Sequence, residues 1–294
     1  MEFTILHQTT YRYPVKIHES YTVCHLQPLS DATQYCTKYE LQIAPRARVF
    51  TYVDRFGNQV QHFGVLPEHD LLSITARSSI ATVRPAEPEP NPGVTREALV
   101  SDPAYASMYD FLRESTYVAF GPELRALAAI VGAPGGEDLD AWFAHAGHEV
   151  HAGFTYDKSA TTVRTTVDES IRLRGGVCQD FAHILVALCR FHAIPARYVS
   201  GYIFSGHDAL RNGQSNAILG AEASHAWCEA YLPPYGWVGY DPTNDRRITD
   251  CFVKIAVGRD YRDVSPVRGI YKGAPQSGGS ELSVNVAMEA LAGQ

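Results

Sequence analysis

The chain has 294 residues, 45% apolar and 19% charged, a balance that suits a folded globular protein and excludes a disordered one. Its formal charge is −7 with basic residues scattered along the sequence, which gives no electrostatic footprint for nucleic acid or an anionic membrane surface. No apolar run reaches the roughly twenty residues of a membrane helix, and the start "MEFTILHQTTYRYPV" has no basic region ahead of an apolar one.

The expectation is a cytoplasmic protein of one large or two ordinary domains, binding neither nucleic acid nor membrane. Six cysteines, none in a C-x-x-C pair, are too sparse for a disulfide scaffold. From Phe3 to Val83 the segments "YELQI", "VFTYVD" and "LLSITARSSIATV" are strand-like, and "DRFGNQV" supplies a turn between two of them. This predicts an N-terminal β-sandwich over residues 1–84. The proline-rich "RPAEPEPNPG" then predicts a stiff linker over 85–96.

Beyond it, "DPAYASMYDFLREST", "PELRALAAIVG" and "DLDAWFAHAGHEVHAGF" have helical periodicity and open with helix-start residues. A further helix runs from Gln179 to His192 and is ended by Pro195. Strand-like "ARYVSGYIF", "SHAWCEAYL", "GWVGYDP" and "CFVKIAVG" follow. Helices first and strands afterwards predict an α+β domain over 97–294, its C-terminal strands included.

Cys178 stands where that last helix begins. There it faces unpaired backbone N–H groups and the positive end of the helix dipole, which favour thiolate over thiol. Gly175 and Gly176 before it allow either positive φ or a close approach of backbone to substrate, and the Cys178 N–H is placed to face an oxyanion. A nucleophile needs a base, and the base needs an orienting group. In "SHAWCEAYL" the side chains of His225, Trp227 and Glu229 share one strand face. The next strand ends at Asp241, and a short turn makes the two antiparallel, bringing Asp241 toward His225. Tyr156 in "FTYD" is either an oxyanion donor or packing. Cys189, eleven residues after Cys178, is too far along the helix to bridge it and is assigned to the core.

The blocks "GGVCQDFAHILVALCRFHAIPARYVSGY", "SHAWCEAYLPPYGWVGYDPTND" and "VGRDYRDVSPVRGIYKG" resemble the bacterial transglutaminase-like family of the papain-like cysteine protease superfamily. The front end, "HQTTYRYPV" through "DRFGNQV", resembles that family's N-terminal β domain, although Leu26 to Cys36 lacks the Pro-Arg often found there. The resemblance implies a papain-like transglutaminase core, with Cys178 as nucleophile, His225 as general base and then acid, and Asp241 orienting the imidazole. It implies acyl transfer from a peptide or protein amide through a thioester, with no metal or organic cofactor. Gly176, Tyr156 and Trp227 are the remaining oxyanion or cleft candidates. Glu229 and Asp180 are the only acidic groups in these blocks that could guide a cationic amine, which favours hydrolysis over cross-linking. The rivals are a catalytically silent binding module and a metallohydrolase built on His145, His148 and His151 with Glu149. The spacing of the latter is not His-Glu-x-x-His, and a solvated helix face accounts for it.

Overall fold

A computed structural model describes residues 1–85, 89–135, 138–206, 219, 224–272 and 280–291. Strand β1 (Glu2–Cys24) organises the N-terminal domain, alternating buried Phe3, Ile5, His7 and Thr9 with more open neighbours. Its first half lies between β5 (His69–Thr82) and β14 (Glu281–Ala290), with β2 (Gln34–Ala44) beyond β5. Its second half lies between β4 (Gln59–Val65) and β13 (Val267–Lys272), with β3 (Val49–Val53) beyond β4. A register shift between Arg12 and Ile17 separates the halves. They close on a core that includes Tyr13, Ile17, Phe63, Leu72 and Ile74. The result is a β-rich half-barrel.

The C-terminal strands correct the sequence reading. They were expected in the core domain, yet β13 and β14 both pair with β1. Strand periodicity identifies a half-buried strand but does not name its partner. The proline-rich segment and the residue before it are tied to the core domain where they are described. Arg84 donates to the Phe252 carbonyl at 2.7 Å and the Asn91 N–H donates to Asp140 at 2.9 Å, while residues 86–88 of the expected linker lie outside the described residues.

The helical part opens with α1 (Arg96–Ser101). No helix forms over 102–116, where the structure has only two single 3-10 turns, Tyr105–Ser107 and Tyr109–Phe111. The segment is held instead by long-range bonds, from the Tyr105 hydroxyl to the Ala193 carbonyl at 3.1 Å, from Arg190 to the Arg113 carbonyl at 3.0 Å and from the Tyr231 hydroxyl to Asp102 at 3.2 Å. Helices α2 (Pro122–Val131), α3 (Leu139–Gly153) and α5 (Cys178–Phe191) form as the periodicity predicts. Between them lie β6 (Thr155–Tyr156), α4 (Val167–Leu173) and β7 (Gly175–Gly176). The apolar side of α5, with Ile184, Leu185 and Leu188, is buried in one core with Ala226, Cys228 and Ala230 of the main sheet.

That sheet runs in the order β11 (Arg246–Arg247), β10 (Trp237–Asp241), β9 (His225–Tyr231), β8 (Ala196–Ile203), β12 (Phe252–Gly258). The short helix α6 (Tyr261–Val264) follows β12. None of the described helices is long and apolar enough to cross a membrane. An edge strand such as β12 presents unpaired backbone groups, and the N-terminal domain covers them with two amide side chains. Gln34 exchanges two hydrogen bonds of 2.7 Å with the Lys254 backbone, and Asn58 exchanges two of 2.8 Å with that of Val257.

Beside this seam Lys254, 3% exposed, pairs with Glu229 and with Asp31, both at 2.9 Å. Burial alone would raise the Glu229 carboxyl, but Lys254, Arg197 and Arg84 outweigh it and hold it down at about 2. A depressed carboxylate contributes stability above its unfolded range and loses it as pH falls through the folded value. Lys254→Met should therefore cost about 3 kcal/mol at neutral pH by leaving a buried carboxylate underpaired. Urea unfolding measures this, and the variant's deficit should shrink below pH 3.

Candidate active site

The start of α5 is fixed by Asp180, whose carboxylate folds back under the turn that precedes Cys178. One oxygen accepts the Val177 N–H at 2.9 Å and the Thr161 hydroxyl at 2.6 Å, and the other accepts the Ser170 hydroxyl at 2.9 Å. Burial raises the Asp180 carboxyl above its ordinary range, and these bonds pull the other way. Gly176 is required by close approach, because a Cβ there would sit 2.5 Å from Asp180 Oδ2. The pairing of β6 with β7 sets Tyr156 beside Gly176, and the Asp157 N–H donates to the Gly176 carbonyl at 2.8 Å.

Strands β9 and β10 are antiparallel, with Tyr240 opposite Cys228. The next residue, Asp241, reaches back to His225, and the Nε2–Oδ2 distance is 2.7 Å with both side chains fully buried. Asp241 Oδ1 also accepts the N–H groups of Thr243 and Asn244, at 2.9 and 3.4 Å, and Oδ2 accepts the Asn244 side-chain amide at 2.8 Å. Asp241 is then acceptor to Nε2–H, which leaves Nδ1 of His225 as the ring's other nitrogen. Nδ1 has no hydrogen-bond partner among the described residues, and Cys178 lines the same cleft as His225. Burial by itself would lower the His225 pKa. The Asp241 charge and hydrogen bond, aided by Cys178, overcome burial and raise it to about 10.

Cys178 and His225 open into a cleft of about 430 Å³ walled by Tyr156, Tyr198 and Tyr261, with Val284 of β14 at its side. Of the expected residues, Cys178, His225 and Tyr156 line it and Asp241 stands behind His225. Trp227 does not line it. It shares the strand face of His225 but is fully buried against Phe252, 5.4 Å between ring centres. Gly176 is buried beneath the turn that precedes Cys178.

Nor do the two acidic candidates line the cleft. Glu229 is buried between Lys254 and Arg197, and Asp180 is occupied as described. Among the described lining residues Lys158 carries charge and no carboxylate is present. The α3 histidines do not converge. His148 bonds Asp245 at 2.8 Å, His151 bonds the Thr243 carbonyl at 3.1 Å, and no cluster of metal-ligating side chains exists among the described residues. Asn244, Tyr198 and Tyr261 were missed in the sequence. Only Asn244 carried a signal, as an amide three residues after a turn-forming Asp.

Residues 133–242 match the transglutaminase-like superfamily and residues 3–81 match the bacterial transglutaminase-like N-terminal region. An uncharacterized protein of Mycobacterium tuberculosis is 31% identical over 97% of this chain and 92% of its own length. A Pseudomonas aeruginosa protein-glutamine gamma-glutamyltransferase is 34% identical over 33% of this chain and 14% of its own length. Among solved structures, a candidate cysteine protease from Cytophaga hutchinsonii superposes with a TM-score of 0.75 at 22% identity, covering 100% of this chain and 92% of that one. At that identity the likeness is one of fold.

The His225 environment is open to direct measurement. In a 15N-histidine NMR titration the His225 ring should hold both protons through neutrality and lose one near pH 10. In Asp241→Asn the burial contribution prevails, so the transition should move below the ordinary histidine range. A raised histidine stabilises the fold below its unfolded pKa and loses that contribution as pH rises through the folded one. The wild type should accordingly lose thermal stability between pH 7 and 10, and Asp241→Asn should not show that loss.

Proposed function

This chain belongs to the bacterial transglutaminase-like family, and on that premise we propose that it is a thiol-dependent acyl-transfer enzyme acting on amide or isopeptide bonds. The single observation that carries the reading is that Cys178 and the Asp241-bonded His225 line one tyrosine-walled cleft. The Cys178 sulfur attacks the carboxamide carbon, a C–S bond forms, and the carbonyl electron pair moves onto oxygen. The Val177 N–H is already held by Asp180, and the Cys178 N–H, next to the sulfur in the first turn of α5, is the backbone donor this reading assigns to that oxyanion.

Collapse of the intermediate breaks the C–N bond, and the leaving amine takes its proton from His225 Nδ1. A thioester remains on Cys178. Water then gives a proton to His225 as its oxygen attacks the thioester carbon, and the C–S bond breaks to restore the thiolate. Asp241 keeps the ring oriented by accepting from Nε2 throughout, a role that touches no substrate.

Lys158 on the cleft and the absence of a described carboxylate there disfavour a lysine amine as acceptor, so water is the acceptor of choice in this reading. The transferase reading is supported by the Pseudomonas aeruginosa relative, a protein-glutamine gamma-glutamyltransferase. A partition measurement separates the two. With one acyl donor and a graded primary amine, hydrolysis predicts that most thioester still goes to acid at millimolar amine, and diversion of most of it to the conjugate would establish transfer.

The triad acts as a unit in this scheme. Cys178→Ala should abolish turnover, and adding His225→Ala should reduce it no further, because removal of cooperating groups is non-additive. Iodoacetamide followed by peptide mapping should modify Cys178 first. Cys24, Cys189, Cys228 and Cys251 are buried, and burial raises the thiol of Cys36. Normal turnover by Cys178→Ala would end the proposal.

A further inference from the structure

Helix α6 serves two cavities. Tyr261 faces the catalytic cleft, whereas Arg262 and Asp263 line a second cavity of about 660 Å³ at the seam between the β3–β4 hairpin and the segments after β12. Four guanidinium groups line it, those of Arg55, Arg259, Arg262 and Arg268, against the carboxylates of Asp54 and Asp263. This concentration of positive charge stands out in a chain of net charge −7.

The carboxylates are committed. Asp263 holds Arg259 through two hydrogen bonds of 2.8 and 3.0 Å, and Asp54 accepts the N–H groups of Phe56 and Asn58 in its own turn. Arg55 pairs with Asp110, which lies outside the cavity lining, at 3.3 Å. Arg262 and Arg268 have no carboxylate partner among the described residues. Arg262 reaches only the Thr116 hydroxyl at 3.3 Å, and Arg268 only the Arg262 carbonyl at 3.2 Å. Two guanidinium forks are thus left in one concave site, the arrangement that binds phosphate with paired charge-assisted hydrogen bonds. Beside them Phe56 packs under the Arg55 guanidinium at 4.5 Å and Tyr52 is 49% exposed, giving the cavity an aromatic wall as well.

We propose that this cavity is a binding site for a phosphate group, free or borne by a small organic molecule, with Arg262 and Arg268 as its principal ligands. The cavity has room for more than a single phosphate, and the two unpaired cations match a dianion. The inference does not depend on the proposed chemistry at Cys178.

Calorimetric titration of the full chain at constant ionic strength tests it, with inorganic pyrophosphate in one arm and phenyl phosphate in the other. One-to-one saturable binding in either arm is expected, tighter for phenyl phosphate if the ligand is organic and for pyrophosphate if it is inorganic. The double variant Arg262→Gln/Arg268→Gln should weaken it by about tenfold or more, and Arg12→Gln, an exposed arginine outside the cavity, should leave it unchanged. Should the double variant unfold, the exposed Arg268→Gln alone supplies the comparison with a severalfold loss. Heats no larger than those of sodium chloride, or equal affinity in wild type and variants, would overturn the proposal.

Discussion

One buried hydrogen bond governs the cleft, that from His225 Nε2 to Asp241 Oδ2 at 2.7 Å. Both partners are out of solvent, so the pair is tolerable only with good geometry and with the remaining carboxylate lone pairs satisfied. The turn after β10 satisfies them through Thr243 and Asn244. That turn is in turn held from outside. His151 of α3 bonds the Thr243 carbonyl, and Asp245 is shared by His148 and the Tyr240 hydroxyl at 2.8 and 2.7 Å. Two of the three histidines that suggested a metal site, His148 and His151, thus brace the aspartate turn, while His145 faces Glu149 of its own helix at 3.9 Å.

The same bond depends on strand register. A slip of one residue between β9 and β10 would turn either His225 or Asp241 to the opposite face. Register is protected where the sheet is not free to slide or recruit another strand, and the N-terminal domain contributes there. Its Gln34 and Asn58 amides close the outer edge of β12. Behind them the Lys254–Glu229–Arg197 group anchors β9 itself, since Glu229 lies four residues from His225 on that strand. The half-barrel is part of what keeps the sheet in register, and through Val284 it also contributes to the cleft wall.

Much of this was legible in the sequence, and what was not has physical causes. The glycine pair before Cys178 and two strands joined by a tight turn are local signals, and local signals predicted the approach of His225 to Asp241. Three readings failed because they needed tertiary information. Period-2 alternation put Trp227 on the face of His225 correctly, but depth along the strand decides which side chain reaches the cleft, and Trp227 lies over Phe252 instead. Helical spacing over 102–116 gives only two 3-10 turns, in a segment tied to Ala193, Arg190 and Tyr231 by long-range hydrogen bonds. The last strands carry no mark of their partner, and the chain spends them on β1.

The proposed nucleophile and the proposed base are held by opposite strategies. His225 is placed by a rigid sheet and a carboxylate that is part of the reactive chain of contacts. Cys178 is placed by a carboxylate outside the cleft lining: Asp180 binds Val177, Thr161 and Ser170 and so sets the first turn of α5. The glycine at 176 follows from the same carboxylate, since no side chain fits between that backbone and Oδ2. An acidic residue one turn from a nucleophilic cysteine could have served to attract a cationic acceptor. Here it is buried in making the cysteine's own position, and the cleft faces its substrate with tyrosines and a lysine.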